Sequence, residues 1–339
     1  MEIINNTPFA AERLAYFNQN GEESFLFLLK ATYAITPKNT IPRIAEEQNA
    51  FNAADVYAGE PGKSGLLLAG DFSLPKPSTG ITLTGHAFAP NRDTPYAEVV
   101  IKVGEVIQRA IVFGDRYWCT SGGSTWISKP LPFESIPLVW ENAFGGVDGS
   151  SGDRGNTQFF PENPVGTGFL ATETKRIIDG LKLPNIEHPQ YLIRNPKDLV
   201  PTIGFCPVAP HWQPRLSYTG TCDANWLEER APLLPDDFDD RFYQTAPPGL
   251  IAHKYLSGGE HCLITGTTPQ GKLEFDLPTV TPCFKVRLPK SQVNLLGCLD
   301  TVHIDTDGMK LYMIWRATKM VHGYLETTRA VEVSLTENS

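Results

Sequence analysis

Twelve prolines lie between residues 130 and 214, in a chain whose other parts contain short apolar runs. A proline has no backbone N–H to give to a β ladder and disrupts a helix interior, so this stretch favours neither a continuous sheet nor a long helix. The same stretch is rich in aromatic side chains, which disordered linkers lack. We therefore expect residues 131–250 to form an ordered, loop-rich region that packs against sheets built by the rest of the chain.

Strand patterns dominate the residues that precede this stretch. Residues 25–35 form a β-rich apolar run between turn residues, which is typical of a strand buried on both faces. Residues 80–88 alternate apolar and polar side chains, which predicts a half-buried strand. Two further strands are predicted at residues 98–103 and 106–113, and the two-residue connection Gly104-Glu105 between them predicts a tight hairpin.

Strand patterns return near the C-terminus, often with turn signals 8 to 12 residues apart, as in sandwiches and barrels. They cover residues 261–266, 272–277, 283–288, 301–306, 310–316 and 330–335. The predicted fold is mainly β, with two β-rich sandwich or barrel-like lobes joined and covered by a long Pro/Gly/aromatic-rich loop region with few short helices. The expected division is an N-terminal lobe at 1–130, the loop-rich region at 131–250 and a C-terminal lobe at 251–339, and a single continuous domain is the alternative.

Three short helical segments are predicted within or after the loop-rich stretch. The first covers residues 171–179, where Gly180 provides a C-terminal stop. The second covers residues 225–230, and the third is a turn that leads into a helical turn within residues 235–243. With 29 glycines and 28 prolines in 339 residues, longer helices are not expected.

Charge and hydropathy exclude several classes of partner. The net charge of −9 repels nucleic-acid phosphates and anionic lipid surfaces, and the Lys and Arg residues form no dense run. The sequence has no apolar stretch long enough for a membrane helix, and its first residues lack the pattern of a secretory signal. We expect a cytoplasmic protein that binds neither nucleic acid nor membrane.

The chemistry-bearing residue types show no catalytic or metal-binding spacing. The six cysteines form no C-x-x-C pair, and adjacent residues such as His261 and Cys262 point to opposite faces of a strand. His303, Asp305 and Asp307 would share one face, but the Asp307-Gly308 turn explains them as polar positions at a strand end. We expect structural thiols, no metal, no cofactor and no enzymatic activity; a glycosidase with a carboxylate pair, recognisable only in space, is the enzymatic alternative.

An acidic cluster and several aromatic loop motifs remain as candidate binding features. The four aspartates between residues 236 and 240 are typical of a solvated turn that caps a short helix; a docking surface for a basic partner is the second interpretation and a calcium site the third. Tryptophan and arginine are common at binding hot spots, although each can also anchor a core or a loop. The residues predicted to bind a partner are Trp118, Phe144, Trp226, Asp236, Asp237, Phe238, Asp239 and Asp240. Those predicted to order loops are Asp115, Arg116, Trp212, Arg215 and Asp223.

An ordered series of motifs spans roughly residues 5–320. It includes Asn6-Thr7-Pro8-Phe9, Gly59-Glu60-Pro61-Gly62, Gly114-Asp115-Arg116-Tyr117-Trp118, Ala143-Phe144-Gly145-Gly146, Asn163-Pro164-Val165-Gly166, Trp212-Gln213-Pro214-Arg215, Gly220-Thr221-Cys222-Asp223, Leu234-Pro235-Asp236-Asp237-Phe238 and Trp315-Arg316. In this series the chain resembles bacterial accessory proteins of unknown-function-domain type that accompany type VI secretion effectors. It departs from their pattern at Cys222, where an aromatic residue is expected, and at Ser78-Thr79-Gly80, which lacks an aspartate.

The resemblance implies an effector adaptor, or chaperone, of the type VI secretion system. Such a protein would bind a toxin effector, often through a spike-tip domain of the proline-alanine-alanine-arginine (PAAR) type, and would load it onto the spike trimer. The resemblance implies no catalytic residue. A β-sandwich carbohydrate-active enzyme or a lectin-like binding protein is the alternative function.

Overall fold

The computed structural model describes residues 2–36, 40–91, 93–148, 157–171, 177–288, 291–321 and 330–336. The described residues form a mainly β structure with several sheets, none of which closes into a barrel, and with a single α-helix. This confirms the predicted fold class.

In chain order the strands are β1 (Glu2–Asn5), β2 (Ala10–Phe17), β3 (Glu23–Ala34), β4 (Arg43–Ile44), β5 (Val56–Tyr57), β6 (Leu66–Leu68), β7 (Gly80–Thr84), β8 (His86–Phe88), β9 (Tyr96–Val103), β10 (Val106–Phe113), β11 (Trp118–Ser121), β12 (Ser124–Ile127), β13 (Ser135–Pro137), β14 (Phe144–Gly145), β15 (Val147–Asp148), β16 (Gln158–Phe159), β17 (Thr167–Gly168), β18 (Ile186–Glu187), β19 (His261–Thr265), β20 (Lys272–Asp276), β21 (Pro282–Arg287), β22 (Gln292–Leu296), β23 (Cys298–Asp305), β24 (Lys310–Met320) and β25 (Ala330–Leu335).

The central sheet has six strands in the order β2-β3-β24-β23-β7, with β4 added beside β3. All pairs are antiparallel except β7 and β23, which are parallel. Strand β3 is buried along nearly its whole length, which confirms the prediction for residues 25–35. Its odd-numbered side chains belong to the main hydrophobic core, whereas Lys30 and Thr32 face the other side, where the loop at residues 48–52 covers them.

A second sheet contains five antiparallel strands in the order β18-β10-β9-β19-β20. Strands β9 and β10 are joined at Gly104, whose φ of 57° is a conformation that glycine adopts without strain. This confirms the predicted hairpin. A four-stranded sheet, in the order β1-β25-β21-β22, and five two-stranded ladders complete the described β structure.

The large sheets combine strands from both ends of the chain. In the central sheet β3 pairs with β24, and in the second sheet β9 pairs with β19. One hydrophobic core includes residues from Phe9 to Val333. Segments 1–130 and 251–339 therefore contribute strands to the same sheets.

The loop-rich middle region contains short strands and short helices. The α-helix α1 (Ala224–Glu229) and the 3-10 helix at Asp240–Tyr243 confirm two of the predicted helical segments. Further 3-10 helices cover Trp140–Asn142, Arg215–Tyr218 and Pro248–Leu250. The helix predicted at residues 171–179 lies largely outside the described residues. No described helix has the length and apolar character needed to cross a membrane.

The prediction of one half-buried strand at residues 80–88 is wrong in two respects. The run divides at Gly85 into β7, which pairs with β23, and β8, which pairs with β13. Residues 80–83 are buried rather than half-buried. The polar residues of the alternation are threonines on a sheet face that loops cover. Alternation alone does not show whether the polar face of a sheet is covered or solvated.

Candidate functional site

The densest charge on the protein lies in residues 223–241, which we call the acidic segment. It contains seven acidic and two basic side chains and therefore a net charge of −5, against −9 for the whole chain. Helix α1 begins the segment, and Asp223 caps it by accepting a hydrogen bond from the backbone N–H of Trp226 at 2.9 Å. An acidic N-cap is favourable because it satisfies a free N–H at the positive end of the helix.

The acidic segment is fixed to the turn between β2 and β3. The Nη2 of Arg230 donates to the carbonyl of Gln19 at 2.7 Å, and the Nε2 of Gln19 donates to the carbonyl of Pro235 at 2.9 Å. The indole N–H of Trp226 donates to the carbonyl of Leu233 at 2.9 Å. These contacts give the segment a defined shape although it contains only six α-helical residues.

Three of the four clustered aspartates have partners within the protein. Asp236 forms an ion pair with Arg230 at 2.7 Å. Asp237 accepts from the backbone N–H of Thr221 at 2.8 Å and from its hydroxyl at 2.7 Å, and Asp239 accepts from Arg241 at the start of a 3-10 helix. The interpretation of this cluster as an exposed turn that caps a short helix is confirmed.

Hydrogen bonds favour the ionised forms of Asp237 and Asp239. The backbone N–H and hydroxyl of Thr221 lower the pKa of Asp237, and hydrogen bonds from Arg241 lower the pKa of Asp239. Asp240 is exposed, as are Glu228 and Glu229 on α1. The segment therefore presents fixed negative charge at neutral pH.

Apolar side chains accompany this charge. Leu227 on α1 is 66% exposed, and Leu216 is 46% exposed on the preceding 3-10 helix. Phe238 and Trp226 are half-buried, and the Phe238 ring packs against Phe242 at 5.6 Å between centroids. The surface thus combines exposed leucines with carboxylates, and a protein interface likewise has an apolar core within a polar rim.

Two residues predicted to bind a partner lie elsewhere. Trp118 and Phe144 are only 2% and 1% exposed, and both belong to a small hydrophobic cluster with Leu183, Ile193 and Val200. This burial is a correction: the two aromatic side chains anchor the loop-rich region and offer no surface to a partner. Hot-spot and core residues share the same side-chain types, so sequence alone does not separate them.

The residues predicted to order loops make contacts that join one loop to another. Arg116 forms a buried ion pair with Glu187 and donates to the carbonyl of Pro184 at 2.9 Å. Asp115 pairs with Lys182 at 2.8 Å rather than with its neighbour Arg116. Both residues thus attach the loop after β10 to residues 182–187.

Trp212 and Arg215 order the next part of the region. The Trp212 ring meets Trp140 edge-on at 5.8 Å. The guanidinium of Arg215 donates to the carbonyls of Phe242 at 2.9 Å and Val208 at 2.7 Å. Arg215 therefore ties the acidic segment's C-terminal end to the core.

Several candidate nucleophiles and metal ligands are engaged or buried, whereas the Cys222 thiol is exposed. Burial raises the pKa of the Cys206 thiol to about 12 and also raises that of Cys262. His261 contacts Asp276 at 2.8 Å on the exposed face of β19, opposite Cys262. His303 contacts two threonine hydroxyls, and in the described part of the chain no three metal-ligating side chains converge.

The family described as an uncharacterized protein conserved in bacteria (DUF2169) matches residues 20–316. The chain belongs to this family. The match spans the acidic segment and strands β3 to β23. The DUF2169 description gives no activity, substrate or partner, so the secretion role stays a prediction. No curated protein and no solved structure matches the chain.

Proposed function

We propose that this DUF2169 protein is a type VI secretion adaptor that binds a toxin effector, through a PAAR-like spike-tip domain, and loads it onto the spike trimer. Its motif series resembles that of such accessory proteins, as described above. The observation that carries the proposal is the acidic segment, whose net charge of −5 over 19 residues lies beside exposed leucines.

The binding surface in this proposal consists of helix α1 and the acidic turn. Leu227 would contact apolar cargo surface, while Glu228, Glu229 and Asp240 would face basic side chains of the cargo. Complementary charge mainly speeds association and selects the partner, and adds less to affinity. That balance suits an adaptor, which has to release its cargo before secretion.

The experiment measures the affinity and the association rate of the effector encoded beside this gene by surface plasmon resonance. The variant Glu228→Gln/Glu229→Gln/Asp240→Asn removes three exposed carboxylates that make no hydrogen bond or ion pair in the described structure, and changes the segment's charge from −5 to −2. We expect weaker binding, with most of the change in the association rate.

The matched control is Glu46→Gln/Glu47→Gln/Glu105→Gln, which removes three exposed carboxylates elsewhere on the surface. It should bind like the wild type. Raising the salt from about 50 to about 500 mM shortens the Debye length from about 14 to about 4 Å and should weaken wild-type binding more than that of the acidic-segment variant. Equal affinities for the two triple variants, or salt-independent wild-type binding, would contradict this surface; absence of any effector binding would contradict the adaptor function itself.

A further inference from the structure

One face of the central sheet is polar although it is buried. The register places Lys30, Ile314 and Thr301 in one row across β3, β24 and β23, and Tyr312 and His303 lie in the next row. The opposite face of the same strands belongs to the apolar core. Loops at residues 49–52 and 68–76 cover the polar face and enclose a cavity of about 80 Å³ against it.

The side chains around this cavity carry unequal charge. Three cationic side chains line it, namely Lys30, Lys76 and Arg316. Among the described lining residues, Asp71 is the one carboxylate. Asp300 adds a second buried carboxylate, which pairs with Arg316. Three positive charges thus face two negative ones, within a protein whose overall charge is −9.

His303 also lines the cavity but adds no charge to its wall. Burial, together with the nearby charges of Lys30 and Lys76, lowers its pKa to about 3. Its two ring nitrogens contact the hydroxyls of Thr82 at 2.9 Å and Thr84 at 3.2 Å. The ring is therefore neutral at physiological pH and both of its nitrogens are occupied.

Lys76 carries the excess charge. Its Nζ donates to the hydroxyls of Thr301 at 2.8 Å and Thr245 at 3.1 Å, and no described carboxylate lies within ion-pairing distance of it. The ammonium group has three donors, so one remains after these two bonds. A buried charge without a counter-charge is costly, because hydroxyl groups replace water only in part.

Arg316 lies in the same cavity wall, and its guanidinium is enclosed by the protein. Its two terminal nitrogens are used by Asp300 and by the backbone carbonyl of Asp71, the latter at 2.6 Å. Its Nε is buried and has no hydrogen-bond partner among the described residues. Asp71 accepts from Lys30 at 2.7 Å and from the backbone N–H of Asn52 at 2.7 Å, both at its Oδ2.

We propose that this cavity binds a small tetrahedral oxyanion of the phosphate or sulfate class, with Lys76 as its counter-charge. The anion would neutralise the excess positive charge and accept the remaining N–H of Lys76. Water accepts hydrogen bonds but leaves the charge uncompensated. This site is independent of the acidic segment and of the proposed adaptor function.

The size of the cavity and its rim limit the ligand. A volume of about 80 Å³ suits a small ion better than a nucleotide or a lipid headgroup with its glycerol. Asn49, Asn52 and Gly70 form a half-buried rim, through which a small ion can enter without separation of the sheet strands.

The test is isothermal titration of the full chain with inorganic phosphate at pH 7 in chloride buffer of constant ionic strength. We expect saturable binding of one phosphate per chain. Lys76→Met should reduce the affinity at least tenfold, while Lys63→Met, which removes an exposed lysine, should leave it unchanged. Sulfate should compete with phosphate, and adenosine monophosphate, whose phosphate is attached to a group larger than the cavity, should not.

A second measurement does not depend on the stability of a variant. Nuclear magnetic resonance signals of the His303 ring in the wild-type chain should shift in a saturable way with phosphate, while those of the exposed His261 should not. The proposal is overturned if phosphate does not bind, if the His303 signals do not respond, or if a folded Lys76→Met variant binds phosphate as the wild type does. Competition by adenosine monophosphate equal to that of sulfate would overturn the assignment to a free ion.

Discussion

The Nζ of Lys30 lies 2.7 Å from the Oδ2 of Asp71, and this ion pair is buried on the polar face of the central sheet. Lys30 occupies the middle of the otherwise apolar strand β3, while Asp71 belongs to the loop that covers the sheet. The same lysine also donates to the carbonyl of Ala50 at 2.9 Å. One side chain therefore holds two covering loops against the sheet.

Removal of one partner of this pair should destabilise the protein strongly. Lys30→Met leaves the Asp71 carboxylate buried without its cation, which costs about 3 to 5 kcal/mol. The double variant Lys30→Met/Asp71→Asn should recover part of this loss, since no unpaired charge remains. Urea denaturation measures both, with the exposed Lys63→Met as control at about 0 to 1 kcal/mol. Equal unfolding free energies for the wild type and the Lys30 variant would show that the pair is not buried in solution.

The pair between Arg116 and Glu187 should behave in the same way in the loop-rich region. Arg116→Ala leaves the Glu187 carboxylate buried, and we expect a loss of about 3 to 5 kcal/mol in the free energy of unfolding. The matched control is Arg109→Ala, which breaks an exposed pair with Glu98. An Arg116 variant that melts like the wild type but no longer binds cargo would instead make Arg116 a binding residue.

Local sequence patterns predicted many of the strands, but they did not predict which distant strands pair with each other. The run at 25–35 and the Gly104 turn specify a strand and a hairpin through neighbouring residues. The pairing of β3 with β24 joins residues more than 270 positions apart, and nothing in either strand specifies the other.

The functional sites were likewise predictable only where neighbouring residues in the sequence define them. The acidic turn was visible because four aspartates fall within five residues. Trp118 and Phe144 were assigned to binding because a loop motif does not reveal whether its aromatic ring is covered. The cavity was missed because Lys76 reaches Thr245 and Thr301 only through the fold, although Lys30 within an apolar run was a signal of a buried polar face.

His303 should make the protein sensitive to mild acid. Its folded-state pKa of about 3 lies below the value of about 6.5 expected in the unfolded chain, so the unfolded state alone takes up a proton as the pH falls below about 6.5. At pH 5 this should cost about 2 kcal/mol of stability relative to pH 8. His303→Gln, which does not titrate, should lose less between these pH values. Parallel pH profiles of the two proteins in urea denaturation would show that the ring is accessible to protons in the folded state.

Lys76 should have the opposite effect, in alkaline solution. Burial lowers its folded-state pKa to about 8, an effect that Asp300 opposes and Arg316 strengthens, while the unfolded chain holds the proton up to about pH 10.4. Between these values the unfolded state binds more protons, so the stability of the wild type should rise with pH. Relative to Lys76→Met, we expect a gain of about 2.5 kcal/mol between pH 7 and pH 10, measured by urea denaturation in chloride buffer. Other groups titrate alike in both proteins and cancel in this difference. Addition of phosphate at pH 7 should stabilise the wild type and not the Lys76 variant, because a ligand that binds the folded state stabilises it. The bound anion would compensate the buried ammonium charge, whereas a rise in pH removes that charge.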